Sequence, residues 1–193
     1  KLSSEGIAHG NLGVLWANFR INYVLNRIDI CKDIFNETSQ IKFDESVENA
    51  GWCNGNSGLL MIMTEMATLL KTDINLLDLA KKTTVLPLKA PIDLSICHGV
   101  SGVLQSILFA FKVSKRPEYL KLANEYWLSV LKLANMNGYY TGEKHRDYLL
   151  GYFLGWSGMA DSALLLKMYN EGASPLIPLN LSSLDYQKKI TEV

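Results

Sequence analysis

The sequence predicts an all-α protein in which paired helices form an α/α-toroid or an open solenoid. First, four segments share a Gly-x-x-Gly pattern, and their first glycines, Gly10, Gly55, Gly99 and Gly155, are 45, 44 and 56 residues apart. Second, apolar runs with helical spacing follow the glycine pairs, and more amphipathic segments separate these runs. Periods of this length are typical of repeats built from helical hairpins.

Two kinds of segment predict inner and outer helices. Residues 58–70 are apolar almost all round, which is typical of a helix buried on every side. Val100, Val103 and Leu104 follow the i, i+3, i+4 spacing of another inner helix. An outer helix is predicted to begin at Pro117, because proline is favoured at the first helical position. Its apolar stripe consists of Leu120, Ala123, Trp127, Leu131 and Ala134.

Composition and charge exclude several classes of function. The 193 residues are 48% hydrophobic, and basic and acidic residues are equal at 19 each. The chain therefore lacks the basic excess of nucleic-acid and anionic-lipid binders. No stretch approaches the roughly 20 apolar residues of a membrane span, and the N-terminus shows no signal-peptide pattern. Because the sequence begins without Met and almost at once on a motif, we expect it to be the C-terminal part of a longer protein.

The three cysteines are too few and too widely spaced for a disulfide framework, which favours a reducing compartment. Cys31 lies in a charged connector, and we expect it to be a small buried side chain. Cys53 and Cys97 each stand two residues before the first glycine of a repeat, and His98 follows Cys97 directly. Cysteine therefore stands at the same position in two consecutive repeats.

If the inner helices run parallel, their N-termini gather at one end and bring Cys53, Cys97 and His98 together. Two cysteines and a histidine are an established ligand set for catalytic zinc, which keeps one coordination position open. The alternative is that the cysteines are packing residues and that the glycines only permit close helix packing. An anion site at the glycines is not favoured, because no P-loop lysine is present.

His9 occupies the position in the first repeat that His98 occupies in the third, but Ala8 stands where the cysteine would be. A histidine at the same end, outside the metal set, could act as a general acid or base near neutral pH. The alternative is a histidine that caps or packs against a helix. We expect His145 to lie in a solvent-exposed loop.

The motifs "AHGNLG", "GWCNGNSG" and "ICHGVSG" resemble the His-Gly, Trp-Cys-x-Gly and Cys-His-Gly motifs of the lanthionine synthetase C-like cyclases. The segment "FLGWSGMADSALLLKMYNEGASPLIPLNL" is similar to the end of class II lanthipeptide synthetases, whose cyclase domain follows a dehydratase domain. The resemblance implies an α/α-toroid of seven repeats, of which this chain supplies about four. Residues 1–193 would be the C-terminal part of one cyclase domain, with the other repeats and the dehydratase domain upstream.

The resemblance also implies a reaction. A cysteine thiolate of a precursor peptide would add to dehydroalanine or dehydrobutyrine and form a lanthionine or methyllanthionine thioether ring. Carried over by motif, Cys53, Cys97 and His98 would be the zinc ligands. His9 would be the acid or base that takes the thiol proton or protonates the enolate.

Asn49, Trp52 and Asn54, around the first zinc cysteine, are expected to contact the substrate. Stand-alone cyclases of the family have Arg at the position of Asn49 and often have Tyr or His at that of Asn54. Substrate orientation or enolate stabilisation by those side chains is therefore not expected to carry over unchanged. A family aspartate that orients or assists the histidine has no match in this chain and is expected upstream.

The implied partners are the precursor peptide, the upstream part of the same polypeptide and an export transporter. The implied location is the cytoplasm, or the membrane surface through the transporter complex; no nucleic-acid partner and no membrane span are expected. Two alternatives stay open: a family member that uses glutathione as the thiol, and a non-catalytic, zinc-stapled scaffold that binds peptides. If the chain were the full gene product, its open row of inner helices would expose a large apolar edge, and oligomerisation or a partner would be expected.

Overall fold

The computed structural model describes residues 5–87, 91–141 and 149–179, which form seven α-helices and two short strands. This confirms the prediction of an all-α fold. No helix in these residues has the length and apolarity needed to cross a membrane. The helices are α1 (Asn11–Val24), α2 (Ile28–Ser39), α3 (Asn56–Leu69), α4 (Leu77–Lys82), α5 (Val100–Ser114), α6 (Pro117–Asn137) and α7 (Trp156–Asn170), and the strands are β1 (Ile92–Asp93) and β2 (Tyr139–Tyr140).

Inner and outer helices alternate along the chain. The inner helices α1, α3, α5 and α7 pack side by side, and each begins directly after the first glycine of a motif. The outer helices α2, α4 and α6 each pack against the inner helix that precedes them. α3 and α5 are buried over most of their length, whereas α2 and α6 bury one side. This is the double layer that the repeat pattern predicts.

The outer layer agrees with the predicted pattern, with one adjustment. α6 begins at Pro117, but Tyr126 and Val130 are buried while Leu131 is only half-buried, so the apolar stripe is wider than predicted. On α2, Cys31 is fully buried and its thiol donates a hydrogen bond of 3.7 Å to the carbonyl oxygen of Phe19. This confirms Cys31 as a packing residue.

The motif glycines allow a tight loop to fold back on the first turn of each inner helix. A β-carbon on Gly102 would collide with the carbonyl oxygen of Ile96, six residues earlier. One on Gly58 would collide in the same way with the carbonyl oxygen of Trp52. The second glycine of these motifs is therefore required by close backbone approach.

A buried ion pair links the first two inner helices. The carboxylate of Glu65, on α3, is buried and accepts hydrogen bonds from Nε and Nη2 of Arg20, on α1, at 2.8 and 2.9 Å. The indole nitrogen of Trp16 donates a third, at 3.2 Å, and the Arg20 guanidinium lies 3.8 Å from the centre of the Trp16 ring. Because a buried charge is costly without a partner, these contacts favour one relative position of α1 and α3.

Apolar side chains are exposed on α1 and α7, the first and last inner helices that the structure describes. Val14 and Ile21 on α1 are 55% and 60% exposed, and Leu164 on α7 is 53% exposed. These residues form the apolar edges that an open row of inner helices is expected to show.

The periodicity of the sequence does not predict the short parallel pairing of β1 with β2. In this pairing Asp93 lies opposite Tyr140, and the amide of Leu94 donates to the carbonyl oxygen of Tyr140 at 2.9 Å. Two residues per strand are too few to produce an alternating pattern. The pairing fixes the backbone that leads into Cys97.

Gly102→Ala is expected to lower the free energy of unfolding by about 1–3 kcal/mol, the usual cost of overpacking. The new β-carbon meets backbone rather than a flexible side chain, so the collision is expected to outweigh the better helix propensity of alanine. Urea denaturation of both proteins measures the difference. Gly151→Ala is the control, since its β-carbon would meet nothing within 4 Å, and its effect should stay within about 0.5 kcal/mol. Equal stability of the two variants would contradict the close-approach argument.

Candidate metal centre

Backbone hydrogen bonds join the turns of the four motifs at one repeat position. The amide of Ala8 donates to the carbonyl oxygen of Cys53 at 3.1 Å, and the amide of Cys53 to that of Cys97 at 3.0 Å. The amide of Cys97 then donates to the carbonyl oxygen of Phe153 at 2.9 Å. Each of these residues stands two positions before the first glycine of its motif. We name this series of bonds the turn ladder; it brings side chains of neighbouring turns together.

The turn ladder gathers Cys53, Cys97 and His98 at one end of the inner row. Their donor atoms all lie within 4.8 Å of one another, and the Sγ atom of Cys97 is 3.9 Å from Nε2 of His98. Tetrahedral geometry with Zn–S of about 2.3 Å and Zn–N of about 2.0–2.1 Å places ligand atoms roughly 3.6–3.8 Å apart. Shifts of about 1 Å or less would therefore bring all three onto one zinc ion.

The cluster is closed on one side and open on the other. Cys53 is buried, Cys97 is half-buried and His98 is exposed. Within the residues that the structure describes, no other group of three His, Cys, Asp or Glu side chains has its donor atoms as close. Thiolate and imidazole ligands suit zinc better than magnesium or calcium. Three donors with an exposed side leave room for a fourth ligand from outside the chain, as in catalytic zinc sites.

The two thiols change each other's pKa in opposite directions. Hydrogen bonding from the Cys53 thiol lowers the pKa of Cys97. The same interaction, together with burial, raises the pKa of Cys53. The charge of Asp93 opposes ionisation of both thiols. The pair therefore resists a second negative charge unless a cation is present, and a divalent cation would favour both thiolates.

His9 lies on the turn next to the turn of Cys53. The hydrogen bond between Ala8 and Cys53 joins these two turns. Its side chain is exposed rather than packed in the core. The structure therefore places His9 at the same end as the cluster, on a turn of its own. His145 lies outside the described residues.

The three expected substrate contacts differ in their surroundings. The carbonyl oxygen of Asn49 accepts a hydrogen bond of 2.7 Å from the amide of Asn56, so its backbone closes the loop before α3. Trp52 is half-buried with its ring 5.8 Å from that of Phe153. The indole N–H of Trp52 is buried and has no hydrogen-bond partner among the described residues. Asn54 is exposed. Trp52 and Asn54 thus flank Cys53 directly, whereas Asn49 supports the loop.

Sequence reasoning did not single out Asp93 or Phe153. A cavity of about 460 Å³ opens beside His98, and Asp93, Tyr126 and Tyr140 form part of its wall. The strand pairing that brings Asp93 to Tyr140 has no sequence signal of its own. Phe153 does have one, because it occupies the ladder position in the fourth motif.

A row of glycine-capped inner helices, with two cysteines and a histidine converging at one end, defines an all-α repeat protein with a candidate zinc site. The family described as lanthionine synthetase C-like protein matches residues 1–179. The chain therefore belongs to the lanthionine synthetase C-like family, as its motifs predict. No curated protein matches the chain.

The full polypeptide that carries this sequence is expected to bind about one zinc ion per chain and to lose it in Cys97→Ala, because two ligands leave an incomplete set. Elemental analysis after dialysis measures the metal content. Cys31→Ala is the control: it removes a buried thiol on α2, outside the turn ladder, and should retain the metal. Full zinc content in Cys97→Ala would contradict the assignment.

Proposed function

We propose that this chain carries the zinc site of a lanthipeptide cyclase, which adds cysteine thiolates of a precursor peptide to its dehydroalanine or dehydrobutyrine residues. The observation that carries the proposal is the convergence of Cys53, Cys97 and His98 on one exposed end of a lanthionine synthetase C-like chain. The products would be lanthionine and methyllanthionine rings.

The reaction is an addition without net oxidation. The peptide thiol gives up its proton, and its sulfur forms a bond to the β-carbon of the dehydro residue. The carbon–carbon double bond becomes a single bond, its electron pair is delocalised as an enolate, and a proton returns to the α-carbon. A bound zinc ion would supply the Lewis acidity that lowers the pKa of a coordinated thiol, which is about 8.5 when free.

The residues of the chain would hold the ion and admit the peptide from one side. Cys53 is buried and His98 is exposed, so the peptide would approach from the side of His98. The cavity beside His98 has space for substrate side chains next to the reacting cysteine. The buried N–H of Trp52 is a donor that a small movement of the ring could offer to the substrate backbone.

His9 would transfer the proton. Histidine is suited to proton transfer near neutral pH, and His9 is exposed on the turn bonded to that of Cys53. It is not needed to complete the three-donor cluster. His9 can therefore act on the thiol proton or on the enolate while Cys53, Cys97 and His98 hold the ion.

Two other functions would use the same cluster. A glutathione-dependent enzyme would differ only in the thiol, and replacing the peptide cysteine by glutathione in the assay distinguishes the two. A structural scaffold would need a closed metal shell, and the described residues offer three converging ligands rather than four. The exposed side of the cluster favours the enzyme.

The resemblance to class II synthetases supports the proposal that this site belongs to a larger enzyme. Residues 1–193 would form the C-terminal part of one cyclase domain that works with upstream repeats and a dehydratase domain. The partners would be the precursor peptide and an export transporter, and the location would be the cytoplasm.

His9→Asn is expected to retain zinc but to slow ring closure by about 10²–10⁴-fold, the usual contribution of a general acid or base. Asparagine is similar in size and cannot carry the proton. The measurement is single-turnover cyclisation of a dehydrated peptide, followed by alkylation of the remaining thiols and mass spectrometry.

His145→Asn is the matched control, because it makes the same chemical change in a segment that the sequence predicts to be a loop. It should cyclise at the parent rate. An unchanged rate in His9→Asn, with zinc at the parent level, would remove the acid–base role of His9 and leave the metal assignment intact.

A further inference from the structure

The fourth motif provides no metal-type side chain at its ladder position, yet its turn touches the turns of both cysteines. We infer that Phe153, anchored through Tyr152, is a positioning residue for the metal centre. The inference rests on the proposed zinc site and assigns it a support that the ligand motifs do not include.

The first contact is made by the backbone of Phe153. Its carbonyl oxygen accepts hydrogen bonds from two successive amides, those of Ile96 at 3.0 Å and Cys97 at 2.9 Å. Two bonds to one acceptor fix both the position and the orientation of the peptide that carries Cys97. The direction in which the Cys97 thiol leaves the backbone is therefore determined by the fourth motif.

The second contact is made by the ring of Phe153. It lies 5.8 Å from the ring of Trp52, with the two planes tilted by 38°. Trp52 directly precedes Cys53, so this contact supports the turn of the first cysteine. One residue thus holds Cys97 through its carbonyl group and Cys53 through its ring. Aromatic pairs at this separation are stabilising beyond the area that they bury.

Tyr152 anchors this residue to the helices below. Its ring meets that of Phe153 edge to face, at 5.7 Å and 85°. Its hydroxyl donates to Oδ2 of Asp161 at 2.7 Å and accepts from Nε2 of Gln105 at 3.0 Å. The same Gln105 nitrogen also donates to Oγ of Ser162 at 2.9 Å. α5 and α7 therefore hold Tyr152, and Tyr152 and the backbone hold Phe153.

Such support affects metal affinity because a metal site needs its donors in place before the ion binds. Residues that orient ligands typically contribute 10–100-fold to metal affinity. Phe153 orients backbone turns rather than ligand side chains, and both cysteines depend on it. Removal of its ring keeps the carbonyl group but loses the contacts with Trp52 and Tyr152, so it should weaken zinc binding without removing a ligand.

The test measures the zinc affinity of the full polypeptide by chelator competition, and the absorption spectrum of the cobalt(II)-substituted protein. Phe153→Leu is expected to bind zinc about 10–100-fold more weakly and to show altered cobalt d–d bands. Phe153→Tyr keeps the ring and should restore the parent affinity. Tyr152→Phe removes the hydroxyl and its hydrogen bonds with Asp161 and Gln105 but keeps the ring contact with Phe153, so it should show a smaller loss of zinc affinity, about fivefold or less.

The chain offers a matched control pair. Phe111 and Tyr169 also meet edge to face, at 5.6 Å and 84°, and the Tyr169 hydroxyl donates to the carbonyl oxygen of Pro175 at 2.9 Å. Phe111→Leu and Tyr169→Phe should lower thermal stability at least as much as Phe153→Leu and Tyr152→Phe, because Tyr169 is buried whereas Phe153 is exposed, and should leave zinc affinity and the cobalt spectrum unchanged.

The outcomes separate this inference from the proposed function. If the parent binds zinc and forms rings but Phe153→Leu binds zinc within twofold of the parent, the positioning role is overturned and the cyclase proposal stands. An equal loss of affinity in Phe111→Leu would also overturn it, because the effect would then be general destabilisation. If the parent binds no zinc, the inference and the zinc-dependent cyclase proposal fail together.

Discussion

The turn ladder is the constraint on which the candidate site depends. Backbone hydrogen bonds of 2.9–3.1 Å join adjacent turns at one repeat position. Because almost every residue has an amide and a carbonyl group, the ladder forms whatever side chain stands there. The backbone thus sets the position of the turns, and the side chains remain available for chemistry. The glycines permit this, because a β-carbon at Gly58 or Gly102 would force the loop away from its helix.

Buried polar contacts between the inner helices fix the base from which the turns extend. The hydroxyls of Ser57 and Ser106 lie 3.0 Å apart between α3 and α5, and Gln105 bonds to Ser162 between α5 and α7. These polar contacts are buried, where an unpaired partner is costly, so they favour one register of the inner row. The cluster above these contacts places the thiols of Cys53 and Cys97 side by side. Two thiolates at this distance would repel each other. A fixed base would keep the two thiols close together before a cation binds.

The repeat period and the position of Cys53 and Cys97 within it were sufficient to predict the inner and outer helices and the end of the row at which the two cysteines meet. Both follow from patterns that side chains carry: apolar spacing, glycine spacing and cysteine at one repeat position. The contributions of Asp93 and Phe153 were not predicted. Asp93 is placed by a two-residue strand pairing, and although Phe153 stands at the repeat position of the two cysteines, the contacts of its carbonyl group and its ring follow only from the fold. Backbone contacts between distant segments leave little trace in residue identity, so this part of the site needed the structure.

The side chains along the ladder suggest why the fourth motif carries an aromatic residue rather than a third cysteine. Phe153 stands beside Cys97 in the ladder as Cys97 stands beside Cys53. A thiol at this position would be near the other donors and could fill the coordination position that a catalytic site keeps open. Four protein ligands would turn the cluster into a closed, structural site. Phenylalanine keeps the hydrogen bond to Cys97, contacts Trp52 with its ring and has no donor atom in its side chain, so an aromatic residue at this position would support the proposed site and leave its fourth coordination position open.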